Sequence, residues 1–305
     1  MYRFLLLTFF AWGIFACTPT SKEQSAQEET SSDTLSAAKS LKLENKGLAS
    51  PESVVGDGQY YYVSNVGVEL KPMDKDGDGF ITKLDAEGNV VDEKFISGLD
   101  APKGSAIVSG KFYVADVDKV KVFDLATKAA AGVVDFSSKG TAFLNDIAVK
   151  NNREIFVSAT DIGKVFTINL DDLSVTEVAT QTPVAGPNGL WWDETNNRLL
   201  IASYTGKVDG KLCAIDFTAQ GNNYHPINDF GGFLDGITLL ESGKLLFSDW
   251  NASGILMLDL SNGETSRVNM PVDSIKGPAD FYYDAVKNEV WAPAMQENVV
   301  YIQSL

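Results

Sequence analysis

Short apolar runs recur along the chain from about residue 41 onward. Six of them are Tyr61–Val66 (YYVSNV), Phe112–Val117 (FYVADV), Ile155–Thr160 (IFVSAT), Leu199–Tyr204 (LLIASY), Leu245–Trp250 (LLFSDW) and Val290–Met295 (VWAPAM). Each places three or four apolar residues ahead of small or polar ones, the mark of a buried strand ending at a loop. A second run follows after a loop: FITKLD, VKVFDL, VFTINL, LCAIDF, ILMLDL and VVYIQS. A third element precedes each first run, starting PES, PKG, LND, PNG, LDG and PAD. The central residues of these starts are Glu52, Lys103, Asn145, Asn188, Asp235 and Ala279, at intervals of about 42–51 residues. That period, with about four strands per unit, predicts an all-β, six-bladed β-propeller over residues 41–305. A two-sheet sandwich would not need so regular a three-element repeat.

The chain ends predict how the ring closes. The sixth unit stops at Leu305 after its third strand, whereas Leu41–Asn45 (LKLEN) is a short alternating segment ahead of the first unit. It is expected to supply the missing outer strand of the last blade, leaving only short, protected edges.

The innermost strand of a propeller blade lines the central channel, so Glu52, Lys103, Asn145, Asn188, Asp235 and Ala279 should ring one mouth. Asp, Asn and Glu are poor strand formers. Two carboxylates and two amides offer only hard oxygen donors, which suit Ca²⁺, Mg²⁺ or a similar divalent ion rather than a thiolate-seeking metal. Lys103 opposes this reading, because its ammonium can neutralise a carboxylate in place of an ion. A polar channel plugged by hydrogen bonds and water is the plainer alternative.

The motifs in order resemble the SMP-30/gluconolactonase family of six-bladed propellers, which includes regucalcin. The matching stretches are PESVVGDGQYYYVSNV from Pro51, LNDIAVKNNREIFVSAT from Leu144, PNGLWWDETNNRLLIASY from Pro187 and LDGITLLESGKLLFSDW from Leu234. The resemblance spans roughly residues 48–305. It implies a divalent cation (Ca, Mg, Mn or Zn) held by Glu52, Asn188 and Asp235, with Asn145 nearby. It also implies hydrolysis of a lactone or related ester, with Asp235 helping to accept the proton of the attacking water. Phe143 stands where family members acting on sugar-acid lactones usually carry Arg, and Ile147 where Gly is expected. Lys103 has no clear family counterpart and is a candidate for substrate binding or charge balance. The other reading is a propeller of the NHL type that binds a ligand or protein partner without chemistry.

Asp74–Asp85 (DKDGDGFITKLD) fits the first half of an EF-hand loop, but strands flank it instead of helices. A second calcium loop would then rest on Asp74, Asp76 and Asp78 with backbone carbonyls, the alternative being a tight acidic turn. The stretch from Val66 to Gly79 is the longest expected loop within a blade and a candidate lid over the channel mouth. One of Trp191 and Trp192 is expected between blades, and Cys213 reads as a small core residue. His225, the only His, is expected in a surface turn between blades.

Residues 1–16 form an apolar leader behind Arg3, too short to span a bilayer comfortably. It ends in Ile14-Phe15-Ala16-Cys17, which resembles a bacterial lipobox and makes Cys17 the expected lipidation site. Residues 17–40 are polar with almost no large apolar side chain, as in a flexible tether. The protein is therefore expected in the bacterial cell envelope, anchored in a membrane through Cys17, as a monomer acting on a small-molecule substrate or ligand.

Composition removes several other chemistries. Lys and Arg number 25 against 41 Asp and Glu, a formal net charge of −16, so nucleic acid is an unsuitable partner. A single His excludes His-rich metal cages, and two Cys exclude a disulfide scaffold or a Cys-based zinc site.

Overall fold

The computed structural model describes residues 38–305; the leader, Cys17 and tether residues 18–37 lie outside the described residues. Six four-stranded antiparallel sheets form the blades of a propeller. Blades one to five run in chain order over 51–99, 102–135, 144–177, 187–226 and 234–267. The sixth combines Tyr282–Asp284, Glu289–Ala294 and Val299–Ser304 with the N-terminal strand Ser40–Leu43.

The expected closure is present. Ser40–Leu43 pairs antiparallel with the C-terminal strand, from Ser40 opposite Gln303 to Leu43 opposite Val300. Its burial is concentrated at Leu43, which packs with Leu48, Trp291, Val300 and Ile302 at the seam between the sixth and first blades. At the same seam the Tyr61 and Trp291 rings stack at 3.7 Å between centroids.

The core is distributed rather than central. Six apolar clusters each occupy one seam between neighbouring blades. The apolar positions of the two middle strands supply most of this surface, and the first strands of blades one to five touch in succession around the axis. Burying both faces of each middle strand accounts for the nearly continuous apolar runs in the sequence. Trp192 fills the seam between the third and fourth blades, 5.4 Å from the Phe156 ring and 5.6 Å from that of Phe217, while Trp191 faces outward. Cys213 is buried in the same seam cluster.

Polar residues at the ends of the second strands hold the blade entries. Asp116 is fully buried and accepts hydrogen bonds from the backbone N–H of Asp100 and Ala101 at 2.9 and 2.8 Å. Asp249 accepts from Phe233 N at 3.0 Å, and Asn65 accepts from Ala49 N at 2.9 Å. Each satisfies a backbone donor that would otherwise be stranded where the chain enters the channel.

His225 departs from expectation. It lies on the outer strand Gly221–Pro226 of the fourth blade, opposite Ala214, and not in a turn between blades. Its Nε2 is 2.8 Å from Asp216 Oδ2. The sequence NNYHP looks turn-like, but pairing with Leu212–Thr218 overrides that local preference.

Candidate functional site

Five of the six axial residues, all but Ala279, sit in a break of their strand pairing. The register shifts between Pro51 and Ser53, Pro102 and Ser105, Leu144 and Ile147, Pro187 and Leu190, and Leu234 and Ile237. The skipped residues include Glu52, Lys103, Asn145, Asn188 and Asp235. A bulge of this kind adds a residue, bends the strand and re-aims side chains toward the axis. The freed backbone donors find side-chain partners on the second strand. Asp146 N donates to Ser158 Oγ and Gly236 N to Ser248 Oγ, both at 2.8 Å. These two serines are the small polar residues of the IFVSAT and LLFSDW motifs.

Glu52, Lys103, Asn145, Asn188 and Asp235 line one cavity of about 270 Å³. Glu52, Asn145, Asn188 and Asp235 are each at least nine-tenths buried. Each also has a buried side-chain oxygen without a hydrogen-bond partner: Glu52 Oε2, Asn145 Oδ1, Asn188 Oδ1 and Asp235 Oδ1. The remaining atoms of two of them are fixed. Asp235 Oδ2 accepts from Trp250 Nε1 at 3.0 Å, and Asn188 Nδ2 donates to Leu234 O at 3.1 Å. Four orphaned oxygens in one cavity, two of them on carboxylates, fit a hard divalent cation. Among the described residues no three His, Cys, Asp or Glu side chains cluster closely enough to hold a metal. The axial donors are two carboxylates and two amides, so they differ from such a cluster in kind.

The electrostatics are those of a site with too much negative charge. Burial, then Asp235 and Asp280, push Glu52 well above the usual carboxylate range, against the pull of Lys103. Burial lifts Asp235 to about 7, opposed by the Trp250 hydrogen bond and helped by Asp146. Lys103 is 1% exposed, and burial lowers its ammonium to about 8 against the attraction of Glu52. Its Nζ donates to Ala101 O at 3.1 Å and lies 5.0 Å from the centre of the Phe143 ring. Among the described residues it forms no ion pair within 4.0 Å, so it balances the ring at a distance.

Directly below the ring lies a second layer that alternation along the strands does not anticipate. Asp146 and Asp280 are its two carboxylates, and both are pushed up, first by burial, Asp146 to about 6. Asp146 accepts Ile147 N and Leu190 N, both at 2.6 Å, and Asp280 Oδ2 accepts Ser53 Oγ at 2.7 Å. Ser53 takes the first-blade position of this layer, and Gly104, Gly189 and Gly236 the other three. A Cβ on Gly189 would sit 2.1 Å from Asp235 O of the next blade, so side-chain-free backbone is what lets the blades converge here.

The segment between Asn65 and Gly79 reaches over the ring. Leu70, Pro72 and Met73 line the same cavity, as the lid expectation required. Lys75 Nζ ties the segment to Asp118 of the second blade at 2.6 Å. Asp78 Oδ2 accepts Val68 N at 3.0 Å, and Asp76 Oδ1 accepts Asp78 N at 3.2 Å. Asp74 lies 3.5 Å from Lys71. These acids therefore already serve the shape of the loop.

A sequence model of the SMP-30/Gluconolactonase/LRE-like region matches residues 66–279. Solved structures share the fold at low identity. A gluconolactonase from Xanthomonas campestris aligns with a TM-score of 0.68 at 14% identity, covering 88% of this chain and 89% of its own. A luciferin-regenerating enzyme aligns at 0.63 and 14%, covering 87% and 95%. A virginiamycin B lyase from Staphylococcus aureus aligns at 0.58 and 16%, covering 88% and 99%. No curated protein matches the chain in sequence. The match over most of the propeller, together with the axial residues at the blade bulges, makes this chain a member of the SMP-30/gluconolactonase/LRE-like family.

Proposed function

We propose that this protein is a metal-dependent hydrolase of a lactone or related ester, acting at the channel mouth. The observation that carries the reading is the set of four orphaned oxygens on Glu52, Asn145, Asn188 and Asp235. These residues would hold a divalent cation, which when bound would polarise an ester carbonyl and acidify a water. Asp235 has one oxygen fixed by Trp250 and the other free, so it is oriented to take the proton of an attacking water. Lys103 has donor capacity left after its single bond to Ala101 O and can hold a polar group of the substrate. Leu70, Pro72 and Met73 limit water entry from above.

In the same proposal the propeller is monomeric and held at a bacterial membrane through lipidated Cys17, with residues 18–37 as most of the tether. Multiple acyl chains would make such an anchor stable. Cys17→Ser should abolish acyl labelling and release the protein to the soluble fraction.

A propeller that binds a ligand without chemistry is the second reading. Lys103 favours it, because a buried ammonium beside the ring opposes a cation. Metal content and activity on a small lactone panel, before and after chelation, separate the two. A protein with no ion and no hydrolysis under added Ca²⁺, Mg²⁺, Mn²⁺ or Zn²⁺ would leave only the binding function.

A further inference from the structure

We infer that the axial site takes a lactone or ester with an apolar flank, and discriminates against polyhydroxylated sugar lactones. The inference rests on the hydrolase reading for the chemistry, but its substance is the shape and polarity of the cavity walls. Above the ring those walls are Leu70, Pro72 and Met73 from the overhanging segment, with Phe143, Trp250 and Met295 from the blades. None carries a charge. The Trp250 N–H is already committed to Asp235, and the Asn188 amide N–H to Leu234 O. Lys103, the Asn145 amide N–H and the Tyr204 hydroxyl are the side-chain donors left in the cavity.

With the four ring oxygens engaged by the ion, a substrate with several hydroxyl groups would leave water for upper walls that cannot replace most of its hydrogen bonds, and each unmatched group weakens binding. An alkyl or aryl flank meets the opposite situation, because burying it against Met73, Phe143 and Met295 removes apolar surface from water on both sides. The volume of about 270 Å³ lies just below the usual range for small-molecule sites, about 300–1,000 Å³, so the fitting ligand is a single ring with a short side chain. Leu70 and Met73 are 39% and 55% exposed, an apolar loop surface that gains most from covering by such a flank.

The test compares δ-decalactone with D-glucono-δ-lactone, which are matched in size and ring, using the full chain with added divalent cation. The alkyl lactone should be hydrolysed with a kcat/KM at least tenfold higher. Equal or better hydrolysis of the sugar lactone would overturn the substrate class while leaving the hydrolase intact. Binding provides a readout independent of chemistry. The unreactive lactam analogues of both compounds would be titrated by Trp250 fluorescence, with Trp250→Phe identifying the signal. The alkyl lactam should bind at least tenfold tighter even if neither lactone turns over, a result that would remove the hydrolase reading and keep this one. Equal affinity of the two lactams would overturn it. Leu70→Ser and Met73→Ser change partly exposed side chains of the overhanging loop. Each should lower the preference for the alkyl ligand about threefold, and an unchanged preference would overturn the part given to the loop.

Discussion

Trp250 Nε1 donates to Asp235 Oδ2 at 3.0 Å, while Asp235 Oδ1 is buried without a partner. One oxygen is held so that the other points into the cavity with its valence open. Asp235→Asn keeps the shape and removes the charge. It should weaken divalent-ion binding by at least about 100-fold, the upper end of what outer-shell partners alone cost, and abolish lactone hydrolysis. Glu52→Gln should do the same. Asn188→Ala should weaken the ion less, because a neutral oxygen is lost. Calorimetric titration of each variant with Ca²⁺ and Mn²⁺ reads the order, and Asn188→Ala losing more than Asp235→Asn would contradict the proposed ligand set.

The ring was legible because the blade repeat aligns its members. Glu52, Asn145, Asn188 and Asp235 each sit at the same place in a recurring motif, and poor strand formers at a strand start stand out. Asp146 and Asp280 were not legible as a second layer. Simple alternation sends the residue after a ring position to the opposite face, and only the bulge at Leu144–Ile147 brings both Asn145 and Asp146 to the axis. The hydrogen bond from Asp146 N to Ser158 Oγ compensates that break, and its partner lies 12 residues away. The apolar cavity roof was half legible. Loop length flagged 66–79, but which of its side chains reach the ring depends on the Lys75–Asp118 tie across two blades.

Lys103 gives the sharpest division between an ion site and a self-neutralised ring. Its ammonium makes one hydrogen bond, to Ala101 O, and burial lowers it to about 8. Lys103→Met removes a like charge from the neighbourhood of a bound cation without opening a large cavity. The ion should bind at least tenfold tighter, about 1.4 kcal/mol. Metal affinity that falls in Lys103→Met would mean that the ammonium organises the ring.

Gly189 couples blade packing to the site. A Cβ there would meet Asp235 O at 2.1 Å, and backbone cannot swing aside as a flexible side chain can. Gly189→Ala should cost about 1–3 kcal/mol of stability through overpacking and move Asp235 as well. Thermal unfolding and ion titration should therefore both worsen. A variant with normal ion affinity would show that the fourth and fifth blades tolerate the displacement.

The closing strand is testable by truncation. A chain beginning at Gly47 loses four ladder positions and the burial of Leu43, which is 4% exposed. Losing the burial of one leucine costs about 1.5–3 kcal/mol, and the C-terminal strand becomes an open edge. The midpoint should fall by roughly 5–10 °C relative to a chain beginning at Ala38. Equal midpoints would mean that the ring holds without its clasp.

The axial carboxylates predict how stability depends on pH when no ion is bound. Glu52, Asp146, Asp235 and Asp280 are all raised, first by burial, with Asp146 at about 6 and Asp235 at about 7. In the unfolded chain such groups ionise near pH 4. Between those limits the folded state binds more protons than the unfolded one, so stability falls as pH rises from about 4 to about 7. Lys103 acts in a separate window. Its folded value of about 8 lies below that of an unfolded lysine, so stability recovers in part as pH rises above 8. Asp193 has the opposite sign from the axial acids. Against its burial, hydrogen bonds from Asn196 and Arg198 hold it below the usual range, and its contribution is complete above about pH 4. A bound cation should flatten the decline, since the ionised carboxylates then have a partner. Thermal midpoints taken from pH 4 to 8 with chelator should fall, and those with saturating Ca²⁺ or Mn²⁺ should hold nearly level. Asp146→Asn should make the chelated profile shallower. A chelated protein more stable at pH 7 than at pH 5 would mean that the axial carboxylates are not buried as a group.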